Sequence, residues 1–366
     1  MSVDLSASHR GDLAQRLRAE KDEVAREVTD LFFQRHPEWK ERYGSRGVRH
    51  GVQDALFHID FLAGAVRLAD PHAFRRYVGW TARMLEARGI APHFLAENLQ
   101  DIAAALRRTL AESGEVALFE AVVQAGLDEL QGAGGDDGFG GGIPETAHVF
   151  LQALLAGNRR AAQSVAEQLL SQGRSVPEIY LQVVQPALYH IGSLWQRDEI
   201  TVAQEHMATA ITQNVLALLY PQLPIADRKR GGVLITGVEG ELHQIGAHMV
   251  ADVLESDGWE VRFLGTEMPH DGILRAVEEQ EPRLVGISTT MLFNLESTEG
   301  LIAAIRGAAG NGGGPRVIVG GGAFRQAHEG WRDVGADGYA PDLSEAVELA
   351  RKLSGEVGSP HTAPSS

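Results

Sequence analysis

His243 stands two residues after Glu241 and three before Gly246, in 240-GELHQIG-246. A histidine at the tip of a strand, between a carboxylate and a glycine-opened helix, can offer a ring nitrogen to a metal. A lone loop histidine is more often a surface residue, so the spacing alone leaves both readings open. Two further clusters offer partners. The hydroxyls of Ser288 and Thr290, in 288-STT-290, can donate to a ring nitrogen or a phosphate. Gly320-Gly321-Gly322 would let a flat ligand approach bare backbone, although such a triplet also makes an ordinary turn or a nucleotide loop. Upstream, Trp195 is followed after nine residues by Glu205-His206. An indole is flat and large enough to shield a ligand face. Neighbouring helix residues project about 100° apart, so Glu205 and His206 can hold two parts of one molecule. A helix-end tryptophan and an exposed Glu-His pair explain the same residues without a ligand.

The elements that must position these residues are legible in the apolar pattern. From residue 232, runs of strand length alternate with helical segments: 232-GVLITG-237, 258-GWEVRFLG-265, 283-RLVGIS-288, 315-PRVIVGG-321 and 335-GADGYA-340. That alternation predicts a flavodoxin-like, doubly wound parallel sheet of five strands in the order 2-1-3-4-5. Ligands of such sheets sit beyond the carboxyl ends of the strands, near the switch point between strands 1 and 3. His243, Ser288 and the glycine triplet all fall there. The first turn is not G-x-G-x-x-G, so the dinucleotide fingerprint is missing.

Ahead of the sheet, residues 144–224 read as a four-helix block, with Ser175-Val176-Pro177-Glu178 as a capped helix start. Residues 131–143 hold seven glycines in thirteen positions and read as a linker. Residues 1–130 show helical spacing throughout, enough for about five helices, as in Leu95, Leu99, Ile102 and Leu106. The sheet domain is expected over 232–353, with a disordered tail over 354–366.

Composition excludes several classes. With 366 residues, two or three domains are expected. The formal net charge is -16, from 49 acidic and 33 basic residues, which argues against a general nucleic-acid or anionic-membrane surface. There is no cysteine, which removes disulfides, zinc ribbons and thioether-linked chromophores. No apolar run has the length of a membrane span and residues 1–10 do not read as a signal peptide, so a cytoplasmic protein is expected.

Glu241-x-His243-x-x-Gly246, Ser288-x-Thr290 and Gly320-Gly321 together resemble the motif set of the cobalamin-binding Rossmann-like domain, over roughly residues 143–353. The resemblance implies a fold with all these residues, Gly246 included, at the cofactor. It implies that His243 replaces the cofactor's own benzimidazole as lower ligand of cobalt, with Glu241 accepting a hydrogen bond from its other ring nitrogen. The freed nucleotide tail would thread past Ser288 and the glycines. Thr290 departs from the leucine that often stands at that place.

The pattern W-x9-E-H, here Trp195 with Glu205-His206, looks like the signature of the cap of CarH-type photoreceptors. That resemblance implies adenosylcobalamin, with Trp195 packed on the adenosyl group and Glu205 and His206 hydrogen-bonded to it. Light would expel the adenosyl group, the cap would relax, and a homo-oligomer assembled in the dark would change. Gln196 follows Trp195 where the family can carry a histidine, so water or hydroxide is expected as the new upper ligand.

A CarH-type repressor would begin with a winged-helix DNA-binding domain. Residues 1–130 lack wing strands and the chain is acidic, so none is expected. The segment carries histidines and arginines among aromatics, which can hold a tetrapyrrole with its propionates on arginine. Core aromatics and solvated arginines explain the same composition. The domain order resembles the photocobilins, which implies a globin-like domain holding biliverdin non-covalently, with His58, Arg75 and His93 as candidates. Two other functions remain: a corrinoid methyl carrier working with separate methyltransferases, and a light-independent cobalamin sensor. No segment reads as a catalytic output domain, so an enzyme is not expected and the downstream partner stays open.

Overall fold

The computed structural model describes residues 5–132, 143–224, 226–227, 230–309, 313–326 and 330–355. The expected linker and tail lie almost wholly outside these residues. The chain forms two compact units, one of residues 1–142 with 192–202, the other of residues 143–191 with 203–366.

The first unit is helical. Its α-helices are α1 (Ala7–Ala19), α2 (Lys21–Arg35), α3 (Pro37–Leu68), α4 (Pro71–Ala87), α5 (Pro92–Leu106) and α6 (Ser113–Gln131). Three of them begin on a proline, whose fixed φ suits a first turn and whose missing N–H costs nothing there. The periodicity suggests about five helices because the break between α1 and α2 is a single residue, Glu20, which stays near helical geometry and provides no side-chain cap. α3 kinks at Gly44, whose φ of 56° and ψ of -149° leave the helical region. Leu13, Leu17, Val24, Val28, Ile59, Leu62 and Ile102 are buried on the facing sides of these helices. Each such side chain contributes roughly 1.5–3 kcal/mol by leaving water.

The second unit begins with α7 (Glu145–Leu155), α8 (Arg159–Ser171) and α9 (Val176–Ile179), which runs through a π turn at Tyr180–Val184 into α10 (Gln185–Gln196), whose residues from Gly192 onward group with the first unit. α11 (Val202–Leu219) follows. The capping box read at Ser175 is present: Ser175 Oγ accepts from the Glu178 N–H, and the Glu178 carboxylate accepts from the Ser175 N–H.

The sheet then alternates β1 (Gly232–Val238), α12 (Ile245–Ser256), β2 (Glu260–Met268), α13 (His270–Gln280), β3 (Leu284–Ser288), α14 (Leu295–Ala309), β4 (Arg316–Gly320), α15 (Gly322–Gln326), α16 (Gly330–Asp333), β5 (Gly338–Ala340) and α17 (Leu343–Leu353). All pairs are parallel, in the order β2-β1-β3-β4-β5, as the alternation predicts. β1 is buried almost throughout because helices cover both faces of a parallel sheet. Val233, Ile235, Ala247, Leu254, Trp259 and Leu284 form one core of this layer.

Side-chain bonds fasten the preceding helices to the sheet layer. Tyr180 Oη donates to Asp252 Oδ2 of α12 at 2.6 Å. Tyr220 Oη donates to Glu255 Oε2 at 2.7 Å, and Arg325 of α15 donates to Tyr189 Oη of α10 at 2.9 Å.

Candidate ligand site at the strand ends

The parallel register brings three of the sequence motifs onto one line. Gly237 pairs with Ser288, and Ser288 pairs with Gly320, at the carboxyl ends of β1, β3 and β4. The loop leaving β1 turns at Gly240, φ 86°, and buries Glu241 completely at the end of β3. Its Oε1 accepts from the His243 backbone N–H at 3.0 Å and faces His243 Nδ1 at 2.7 Å. Its Oε2 accepts from the N–H groups of Thr290 at 2.7 Å and Met291 at 3.3 Å, and from Asn294 Nδ2 at 3.2 Å. Hydrogen bonds to an ionised acceptor are about twice as strong as neutral ones, and this carboxylate is oriented from both ends.

The electrostatics follow from that geometry. Burial alone would push the Glu241 carboxyl up. The His243 ring, with the His243 and Thr290 amides, outweighs it and holds the group below the ordinary carboxylate range. Conversely, the hydrogen bond to Glu241 raises the His243 imidazole above its ordinary value. The carboxylate of Glu205 adds to that shift through space, so α11 carries Glu205 to within electrostatic reach of the His243 ring. With Nδ1–H donated to a buried carboxylate, the lone pair of neutral His243 lies on Nε2. The His243 side chain is 58% exposed although its partner is buried.

Beside it, Leu242 is 73% exposed, a large apolar side chain facing out of the loop. At Gly246, in the first turn of α12, an added Cβ would meet nothing within 4 Å. The described residues hold no cluster of three or more His, Asp or Glu side chains able to bind a metal ion. A cobalt already inside a macrocycle needs one further donor from the protein, and His243 Nε2 is such a donor. One exposed nitrogen donor, an apolar neighbour and an open glycine fit that group.

A family model described as a B12 binding domain matches residues 231–348, and a second B12 binding domain model matches residues 146–220. Dimethylamine corrinoid protein 3 of Methanosarcina acetivorans is 31% identical over 204 residues, 55% of this chain and 89% of that protein. This chain belongs to the corrinoid protein family. Dimethylamine corrinoid protein 1 of Methanosarcina mazei is 29% identical, over 57% of this chain and 96% of the relative. In fold, the monomethylamine corrinoid protein of Methanosarcina barkeri superposes with a TM-score of 0.52 at 18% identity, over 57% of this chain and 98% of that one. Corrinoid binding thus stands for this chain. These relatives favour the methyl-carrier expectation over the light-sensor one.

The remaining expected residues of the corrinoid protein are distributed as follows. Ser288 ends β3 between Gly237 and Gly320, and Thr290 fixes Glu241 through its backbone. The glycines also have a packing role. A Cβ on Gly321, φ 100°, would lie 2.4 Å from the Thr289 carbonyl oxygen, and one on Gly320 would lie 3.2 Å from the Ala340 carbonyl oxygen. Their missing side chains let the ends of β3, β4 and β5 close. Glu205 Oε2 and His206 Nδ1 are 2.5 Å apart on α11, so the two side chains form one unit instead of diverging.

Trp195 and Gln196 group with the first unit, where the Gln196 amide donates to the Trp80 carbonyl at 3.0 Å. Asn294, which reaches both Gly240 and Glu241, carries no signal in the sequence, because a single Asn after a strand is an ordinary loop residue.

Each of the three bilin candidates has a protein partner of its own. His58 is buried in the first unit, its Nδ1 2.6 Å from Tyr77 Oη, and burial lowers its pKa to about 4. Arg75 pairs with Glu129 of α6 at 2.6 Å. His93 lies against Phe94, in an aromatic group with Phe32, His36 and Trp39. A groove of about 620 Å³ in this unit is lined by Ala103, Arg107, Phe119, Glu120 and Val123, and by none of the three.

Proposed function

We propose that this corrinoid protein binds adenosylcobalamin with His243 as lower cobalt ligand and serves as a light sensor. The observation that carries the binding mode is the Glu241–His243 pair, which leaves the imidazole lone pair on an exposed Nε2. Bound cobalamin would supply an upper-face cobalt–carbon bond that light breaks. The chain's own residues do the rest. Glu241 holds the His243 tautomer. Trp195 covers the upper ligand and keeps water off it. Glu205 and His206, already joined, bond its polar edge together. Losing those contacts on illumination shifts the helices around Trp195 and the assembly of a homo-oligomer, because they exist in only one of two states. What supports the adenosyl ligand is the Trp195, Glu205, His206 pattern, with a first unit whose helices grip the Trp195 segment.

A second reading has its own support. The named relatives are dimethylamine corrinoid proteins, and they back a methyl carrier working with separate methyltransferases more strongly than they back a sensor. A carrier needs an accessible upper face and has no use for a tryptophan held in place. Biliverdin in the first unit rests on domain order alone, with His58, Arg75 and His93 as its candidate residues.

The test loads the protein with adenosylcobalamin or methylcobalamin in darkness and runs chromatography before and after green light. The sensor reading expects tighter adenosylcobalamin binding and an elution volume that changes with light. Preference for methylcobalamin with unchanged elution establishes the carrier instead. Biliverdin added in parallel gives a shifted, sharpened red band if the first unit binds it.

A further inference from the structure

Within the first unit, the end of α10 is held from α4. Helix ends leave carbonyls without intrahelical partners. Here the last carbonyls of α10 are taken by Arg88, which lies just past the end of α4. Its guanidinium donates through Nη2 to the Trp195 carbonyl at 3.1 Å, and through Nη1 to the Gln196 carbonyl at 3.1 Å and the Met84 carbonyl at 2.9 Å. One cation thus caps two helix C-termini, where the backbone dipole favours positive charge. The same guanidinium lies 5.4 Å from the centre of the Trp195 ring and 3.5 Å from the Asp198 carboxylate. Trp80 stacks on Trp195 at 5.8 Å between ring centres with 28° between planes, and its carbonyl accepts from the buried Gln196 amide. Asp198 completes the turn at φ 60°, a left-handed conformation in a non-glycine residue.

These contacts specify the Trp195 ring plane, its backbone and the turn after it. We infer that Arg88 and Trp80 are positioning residues for Trp195, and that by fixing its ring they set which upper ligand the corrinoid carries. This rests on the reading in which Trp195 covers the upper ligand. Gln196 is also explained: its side chain is committed to Trp80, so the position that could otherwise offer a second cobalt ligand serves the clasp.

The test uses the full chain and four variants: Trp195→Ala, Arg88→Ala, Arg88→Lys and Trp80→Ala. Near-ultraviolet circular dichroism without cobalamin reads the coupled Trp80–Trp195 rings. Dark titrations then give the affinities for adenosylcobalamin and methylcobalamin. Arg88→Ala should diminish the coupled signal and weaken adenosylcobalamin about tenfold, about 1.4 kcal/mol, with methylcobalamin changed less than about twofold. Trp80→Ala should shift the same ratio. Arg88→Lys keeps a charge but lacks the planar fork that reaches several carbonyls, so it should fall between; it keeps the test readable if Arg88→Ala does not fold.

Ligand affinities that stay at the wild-type ratio in both Arg88 variants and in Trp80→Ala, while Trp195→Ala alters the ratio, overturn this inference alone. A ratio untouched by Trp195→Ala removes the upper-cover reading, and the inference falls with it.

Discussion

Glu241→Gln is the sharpest perturbation of the site, because the substitution keeps shape and volume and changes only what each end can accept. Five hydrogen bonds converge on the Glu241 carboxylate, two from His243 on one oxygen and three from Thr290, Met291 and Asn294 on the other. An amide has a single accepting oxygen, so it can serve one set and must turn its NH2 on the other. The set of three should keep the oxygen. The NH2 then faces His243, whose Nδ1 must become an acceptor, and the ring proton moves to Nε2. That is the wrong tautomer for a metal ligand.

Loss of an oriented outer partner of a metal-bound histidine typically costs about 10–100-fold in metal affinity, which is about 1.4–2.7 kcal/mol. Leaving the His243 backbone N–H opposite another donor destabilises the loop by a further ~1–3 kcal/mol. Spectrophotometric titration with cob(II)alamin and thermal unfolding read the two effects separately. Cobalamin affinity within about threefold of wild type, with an unchanged spectrum, would refute the claim that Glu241 sets the His243 tautomer.

Other outcomes follow from the same geometry. Gly246→Ala should fold as well as wild type or slightly better, since nothing lies within 4 Å of an added Cβ in that helix; its cobalamin affinity should nevertheless drop. Gly321→Ala should do the reverse and cost folding itself by roughly 1–3 kcal/mol or more, because φ is 100° and Thr289 occupies the space, which a melting curve will report. Cobalamin ligation needs neutral His243, whose pKa is raised, so affinity should fall as pH drops through a value above the ordinary 6.5, by up to about tenfold per pH step below it. His58 acts in the opposite sense to a raised group: its pKa is lowered to about 4, so it contributes stability above 6.5 that is lost as pH falls through about 4. The full gap corresponds to about 3 kcal/mol, and His58→Phe should flatten that acid limb in unfolding measured against pH.

The sheet and its site were largely legible because the information is local. Strand-length apolar runs specify a parallel layer, and register then carries Gly237, Ser288 and Gly320 to one line without further signals. The hydrogen bond between Glu241 and His243 is the one that the resemblance to the cobalamin-binding domain implies. What escaped depends on distant partners. Asn294 meets Glu241 only through the fold, and Arg88 meets Trp195 across 107 positions of sequence. That Gly320 and Gly321 also leave no room for a Cβ beside Ala340 and Thr289 could not be read in sequence, where a missing side chain looks the same whether a ligand or another strand lies against it. In the helical unit, histidines among aromatics suggested a tetrapyrrole slot. There His58 meets Tyr77 and Arg75 meets Glu129, partners on other helices that leave no local signal in the sequence.

The proposed mode of cobalamin binding depends on His243 as the lower ligand of cobalt. The direct measurement is the electron paramagnetic resonance spectrum of the cob(II)alamin complex, made once with unlabelled protein and once with protein carrying 15N-histidine. Ligation by His243 predicts that the triplet splitting from a 14N ligand becomes a doublet in the labelled protein and that the signal is lost in His243→Ala. A triplet that survives the label would mean that the nitrogen on cobalt is the cofactor's own.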